Sequence, residues 1–204
     1  MKVLILNGSP RVNGNTSIAI REMESIFTAN GVEVETVQIG NKDIRGCIAC
    51  GYCSKEGKCV FDDVVNELAP KFEEADGLVI ASPVYYASAN ATLIACLDRL
   101  FYSTRFNKTM KVGASVVCAR RGGCSSTFDE LNKYFTISNM PIASSQYWNS
   151  IHGRTYLSAS MSGMPRRKQG YAPAASGVVY GVYPDCAHCP FEKQCDDCNF
   201  FCLK

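Results

Sequence analysis

Two hydrophobic rhythms alternate along most of the chain. Val3 to Leu6 within Lys2–Asn7 is a short unbroken apolar run that stops at Gly8, as a buried strand does. From Thr16 to Ala29 the period changes, because Ile18, Ile20, Met23, Ile26 and Phe27 recur at helical spacing until Asn30-Gly31 closes the segment. Val32 to Ile39 alternates apolar and polar, the pattern of an outer strand. Asp62 or Asp63 can cap a helix running through Phe72. Gly77–Ala81 is a strand, Asn90–Tyr102 a helix, Lys111–Ala119 a strand, Ser126–Ile137 a helix and Pro141–Trp148 a fifth strand.

Repeated strand–helix units with near-continuous apolar strands predict a parallel sheet covered on both faces. Right-handed crossovers make that sheet doubly wound. Ligands of such sheets sit beyond the carboxyl ends of the strands, near the point where the winding reverses. The segments beginning at Gly8, Ser82 and Ala119 fall on that edge.

The first of them, Gly8-Ser9-Pro10-Arg11-Val12-Asn13-Gly14-Asn15-Thr16, carries the clearest chemistry. Small residues let backbone N–H groups approach an anion, and the positive end of a helix dipole points at the same place. Ser9, Asn13, Asn15 and Thr16 add side-chain donors and Arg11 adds charge. An ordinary Gly/Asn turn would share some of these features. The loop matches neither the P-loop nor the Gly-x-Gly-x-x-Gly fingerprint. The second segment, Ser82-Pro83-Val84-Tyr85-Tyr86, offers backbone and aromatic groups to a planar ring, or else is a plain strand-end turn. The third, Arg120-Arg121-Gly122-Gly123, reads equally well as a solvated basic turn.

Length and composition narrow the class without changing this picture. The chain has 204 residues, 47% hydrophobic and 20% charged, with a net charge of +2. That fits one soluble domain and gives no electrostatic case for nucleic acid or an anionic membrane. Neither a signal-peptide core nor a run of about 20 apolar residues is present, so a cytoplasmic protein with reduced thiols is expected.

The thiols are numerous, twelve in all. Cys47-x2-Cys50-x2-Cys53-x5-Cys59 has the compact spacing on which four thiolates can hold an iron–sulfur cluster. Zinc, or redox-active thiols without metal, are the alternatives. Cys186-x2-Cys189-x5-Cys195-x2-Cys198 forms a second set with metal-ligand spacing. Cys96 and Cys118 fall at core positions. Cys124 has no sequence neighbour that would make it a nucleophile, and His152 is given a structural role.

Gly8-Ser9-Pro10-Arg11 with Gly14-Asn15-Thr16, then Ser82-Pro83-Val84-Tyr85, then Leu97-Asp98-Arg99, resemble the NAD(P)H-dependent FMN reductases of the flavodoxin-like superfamily. The likeness covers about Met1 to Arg154. With the first cysteine motif and Asp62-Asp63, the chain looks like the iron–sulfur flavoprotein subfamily. The resemblance implies a five-stranded flavodoxin-like sheet of order 2-1-3-4-5 in residues 1–155. It implies FMN on Ser9, Arg11, Asn13, Gly14, Asn15, Thr16, Pro83, Val84, Tyr85, Tyr86, Arg121 and Gly122, and a [4Fe–4S] cluster on Cys47, Cys50, Cys53 and Cys59. No protein side chain need be catalytic, since the flavin carries the chemistry. NAD(P)H or ferredoxin would be the donor and a small molecule the acceptor, in a homodimer or homotetramer. An electron carrier without substrate, or a cluster-free quinone or flavin reductase, remains open. The family ends in a further helix, but Pro165, Gly170, Pro173 and Gly177 break any helix after Tyr156. Residues 156–204 are therefore an atypical cysteine-rich tail, either a metal-binding extension or the product of a reading-frame change.

Overall fold

The computed structural model describes residues 1–144 and 149–153. Among these residues five strands and five helices follow in order: β1 (Lys2–Asn7), α1 (Asn15–Ala29), β2 (Glu33–Gln38), α2 (Tyr52–Glu56), α3 (Val64–Glu74), β3 (Gly77–Pro83), α4 (Ala91–Ser103), β4 (Val112–Ala119), α5 (Cys124–Ile137) and β5 (Ser150–His152). The strands form one sheet in the order β2-β1-β3-β4-β5, and every pairing is parallel. This is the expected doubly wound order. The winding reverses between β1 and β3.

The unbroken apolar strands follow from burial on both faces. Val3 and Ile5 of β1, with Val79 and Ala81 of β3, pack on one side against Ala19 and Ile20 of α1. Leu4 and Leu6 of β1, with Leu78 and Ile80 of β3, face Leu68, Phe72, Leu93 and Leu97 of α3 and α4 on the other. Strand periodicity of two thus sends alternate residues into two separate cores. β2 lies at the sheet edge, and its mixed burial explains its alternating sequence.

Helix starts follow the capping residues. Asp63 accepts from the Val65 N–H at 3.0 Å and begins α3, while Asn90 accepts from the Thr92 N–H at 2.9 Å and begins α4. α2 is a single turn that the sequence reading did not contain. It spans five residues between Gly51 and Gly57, too few to show a period.

The fifth strand departs from expectation. Pairing with β4 comes in two pieces: Ile142 bridges Gly113, and Ser150–His152 pairs with Val117–Ala119. From Gly113 to Val117, β4 advances four residues, while its partner advances eight from Ile142 to Ser150. The two described pieces therefore pair with β4 in different registers. Asn149 re-enters the ladder by giving its carbonyl to the Val117 N–H at 3.0 Å and its Nδ2 to the Ser115 carbonyl at 3.2 Å. Residues 145–148, Arg154 and the tail at 156–204, including Cys186, Cys189, Cys195 and Cys198, lie outside the described residues. Among the described residues, no helix is long and apolar enough to cross a membrane.

Candidate functional site

The three segments singled out by sequence meet at the carboxyl ends of β1, β3 and β4. The loop after β1 is held by bonds from three other elements. Gly8 N–H donates to the Ala81 carbonyl at 2.7 Å. The Gly8 carbonyl accepts from Asn90 Nδ2 at 2.7 Å, and the Ser9 carbonyl accepts from Gln38 Nε2. Asn7 Oδ1 accepts from the Ser9 N–H at 3.0 Å, and Ser9 Oγ accepts from the Arg11 N–H at 3.2 Å. The loop is thus braced from behind, while Arg11, Val12 and Asn13 are exposed.

Gly14 is the N-cap of α1, and no side chain caps the helix. The first N–H groups of the helix therefore stay available to an external anion, with the helix dipole favouring negative charge. Ser9 and Thr16 are buried beside this end, and Asn15 is turned away, its Nδ2 donating to the Gly153 carbonyl at 3.2 Å. A phosphate fits this donor set.

β3 ends at Pro83, and Val84 N–H donates to the Cys118 carbonyl at 2.8 Å. Tyr85 and Ser88 then exchange backbone hydrogen bonds at 2.7 and 3.0 Å. The two residues between them, Tyr86 and Ala87, have φ of 47° and 60°. This is a type I′ turn built without glycine or asparagine, which costs on the order of 1 kcal/mol per residue. α5 holds the strained turn in place. Glu130 accepts from Ser88 Oγ (2.9 and 3.0 Å) and from the Ala89 N–H (2.8 Å), and Ser126 Oγ donates to the Ala87 carbonyl at 2.7 Å. Gly123 permits the contact, because a Cβ there would lie 2.9 Å from both Ala87 Cα and Val84 Cγ1. Tyr85 and Tyr86 are consequently exposed on the ligand edge. Arg121 and Gly122 follow β4 and are exposed beside them. Glu130 and Ser126 escaped the sequence reading, since polar residues on a surface helix carry no signal of a turn 40 residues away.

Cys124 opens α5, and its Sγ lies 3.5 Å from Nε2 of His152. Sequence alone gave this thiol no partner, and pairing of β5 with β4 supplies one. Burial still holds the Cys124 thiol above its ordinary pKa. The effect is larger at Cys96 and Cys118, whose thiols burial pushes up to about 12. At pH 8 a thiol of pKa 12 is ionised only about once in 10,000 molecules. Alkylation of the native, chelator-stripped chain at pH 8 should label the exposed Cys47 and Cys50 first and spare Cys96 and Cys118. Because the shift is upward, the buried pair becomes reactive only as pH approaches 12. Peptide mass spectrometry showing early labelling at Cys96 would contradict the packing of α4.

The cysteine loop leaves the same sheet edge after β2. Its four thiols are free; Cys47 and Cys50 are exposed, Cys53 and Cys59 half-buried. Among the described residues no three Cys, His, Asp or Glu side chains are gathered to hold a metal ion. The donor set nevertheless suits a thiolate-bound group. Cys47 Sγ accepts from the Ala49 N–H at 3.4 Å, and Cys59 Sγ accepts from Arg99 Nε at 3.1 Å. N–H donors of this kind stabilise charge on sulfur. Arg99 is fully buried on α4 and pairs with both oxygens of Asp63 at 2.7 and 2.8 Å. Burial lowers its pKa, but the hydrogen bonds it donates to Asp63 and Cys59, with the charge of Asp63, outweigh that and leave it raised.

Sheet order and winding reversal define a flavodoxin-like protein, and an uncapped, braced strand-to-helix loop sits at its first crossover. Residues 1–155 match the family described as NADPH-dependent FMN reductase. The chain belongs to that family and is an FMN-dependent oxidoreductase. Within the family it groups with proteins named iron-sulfur flavoproteins. One, from Methanocaldococcus jannaschii, is 34% identical over 158 residues, covering 76% of this chain and 82% of that protein. Another, from Methanosarcina thermophila, is 35% identical over 144 residues, covering 69% and 75%. Among solved structures, an NAD(P)H:quinone oxidoreductase from Methanothermobacter marburgensis shares the fold at a TM-score of 0.60 and 15% identity, over 76% of this chain and 85% of that one. An archaeal flavodoxin does so at 0.51 and 13%, over 74% and 83%.

Proposed function

We propose that the protein passes electrons from NAD(P)H or reduced ferredoxin, through FMN and a [4Fe–4S] cluster, to a small acceptor. The observation that carries the cluster is the cysteine loop itself. Four free thiols share one loop at the flavin edge, and a buried guanidinium faces one of their sulfurs. The names of the two relatives described above support it.

In this reading the N-terminal N–H groups of α1, that of Asn15 included, take the FMN phosphate, with the side chains of Ser9, Asn13, Thr16 and Arg11 around it, while the Asn15 side chain stays on the Gly153 carbonyl. Pro83 to Tyr86 and Arg121-Gly122 border the ring. Bound FMN supplies hydride and single-electron chemistry, and a cluster would supply single-electron exchange with it. Cys47, Cys50, Cys53 and Cys59 hold the cluster, the exposed Cys47 and Cys50 closing on the other two. Residues 1–155 form the working unit, and FMN near subunit contacts in a dimer or tetramer is consistent with the family.

Anaerobic purification tests this directly. The expected product has a flavin spectrum with a broad cluster shoulder and about four iron and four sulfide per chain. Flavin with zinc or no metal reduces the reading to a cluster-free reductase, and absence of flavin removes it. Steady NAD(P)H oxidation with a quinone marks an enzyme with its own substrate; turnover only with reduced ferredoxin marks a carrier.

A further inference from the structure

Arg99 stands where an apolar residue would be expected. It shares the buried face of α4 with Cys96, Leu97 and Leu100, and its side chain has 0% exposure. Burying a guanidinium costs several kcal/mol before any partner is found. A simple ion pair with Asp63 would employ only the two terminal nitrogens.

All five N–H donors of Arg99 are in use, and their partners share a theme. Nε donates to Cys59 Sγ at 3.1 Å. Nη1 donates to Asp63 Oδ2 (2.7 Å) and to the Arg45 carbonyl (3.1 Å). Nη2 donates to Asp63 Oδ1 (2.8 Å) and to the Phe61 carbonyl (3.3 Å). Arg45 lies two residues before Cys47, and Phe61 two residues after Cys59. One guanidinium therefore binds both stems of the cysteine loop and one of its sulfurs. Phe61 packs under it with its ring centroid 5.0 Å away. Asn66 of α3 completes the hold on Cys59, accepting from its N–H at 2.9 Å and donating to its carbonyl at 3.1 Å.

We propose that Arg99 is a positioning residue for the thiolate ligands: it latches the two stems of the cysteine loop and sets a charged N–H donor on the Cys59 sulfur. This rests on the reading that the four cysteines hold an iron–sulfur cluster. Two consequences follow. A ligand loop fixed in advance holds its metal more tightly, and outer partners of this kind are typically worth 10- to 100-fold in affinity. A positive N–H on a ligand sulfur favours the more negative, reduced cluster, and so raises its reduction potential.

The test compares the wild-type full chain with Arg99→Lys, both purified anaerobically. Lysine keeps the charge and can pair with Asp63, but its single ammonium lacks the planar fork that also reaches both stems and the sulfur. The variant is expected to lose iron to a chelator at least about 10-fold faster. Its cluster should titrate, by EPR, at a lower midpoint potential. Should the variant not fold, the wild-type chain provides a second measurement. The Nε–H of the buried arginine should give a slowly exchanging NMR resonance that the cluster shifts or broadens. Iron in both proteins with equal release rates and potentials overturns the role of Arg99 while leaving the cluster intact. A wild-type resonance unaffected by the cluster does the same. A wild-type chain without iron and sulfide overturns the cluster reading, and with it the proposal.

Discussion

Gly40→Ala should reduce FMN affinity on the order of 10- to 100-fold, the equivalent of roughly 1.4–2.8 kcal/mol of disturbed binding loop. A Cβ at this position would lie 2.2 Å from the Gly8 carbonyl oxygen and 2.3 Å from the Ser9 carbonyl carbon. Both are backbone atoms of the phosphate loop, so no side-chain rotation relieves the clash. Neither side can retreat easily. Gly40 N–H donates to the Asn7 carbonyl at 3.0 Å. The loop is tied to Ala81, Asn90 and Gln38 by the bonds that shape it. Relief must come from moving the loop, which displaces the N–H groups proposed to take the phosphate. Overpacking of this kind also costs about 1–3 kcal/mol of stability, so thermal denaturation of the flavin-free chain should accompany the titration. Gly46→Ala is the control, because a Cβ there meets nothing within 4 Å. Fluorescence titration giving Gly40→Ala an FMN affinity within threefold of wild type would mean that the close approach does not shape the site.

Gly40 also shows where legibility in the sequence ends. β1, β3 and β4 were readable because burial on both faces forces unbroken apolar runs, and α1 because its period is long. The loop after β1 stood out as a candidate anion site because its small and polar residues are contiguous from Gly8 to Thr16. Gly40 lies 32 residues from Gly8, after a different strand, and only β1–β2 pairing brings them together. The same holds for Glu130 under the Tyr86 turn and His152 beside Cys124, whose partners are set by tertiary contacts. The fifth strand was misplaced for a related reason. Pro141–Trp148 has a fair strand composition, but the described strand is Ser150–His152, and Ile142 meets β4 in a different register. Arg99 lay between these extremes. Its motif, Leu97-Asp98-Arg99, was legible as part of the family resemblance, but its burial was not. Which partner it takes depends on a loop that runs from Arg45 to Asp63.

Asp63→Ala should therefore be the most damaging substitution away from the flavin, lowering stability by about 4 kcal/mol. Removing one member of a buried ion pair typically costs about 3–5 kcal/mol, because the remaining charge is left unpaired in the interior. Here the remaining charge is Arg99, which has 0% side-chain exposure and would lose two of its five hydrogen bonds. The N-cap of α3 is lost as well, since Asp63 accepts from the Val65 N–H at 3.0 Å; caps are worth about 1 kcal/mol. The two terms share one side chain and do not simply add. With total stabilities of about 5–15 kcal/mol for natural domains, the variant should be near its unfolding threshold at ambient temperature. Asp63→Asn separates the contributions. Its single Oδ1 can still accept from the Val65 N–H and from Arg99 Nη2, as Asp63 Oδ1 does, but the charge is gone and an NH2 group replaces the acceptor of Arg99 Nη1; about half the loss is expected. The double variant Asp63→Ala, Arg99→Met goes further: with both charges gone and an apolar chain on the α4 face, much of the stability should return. Urea unfolding measures all three, with midpoints shifting and slopes unchanged. Recovery in the double variant alongside failure to retain iron would assign the pair to the cysteine loop rather than to the fold. An Asp63→Ala midpoint within about 1 kcal/mol of wild type would show that water or another acceptor replaces the carboxylate, and that Arg99 is not committed to it.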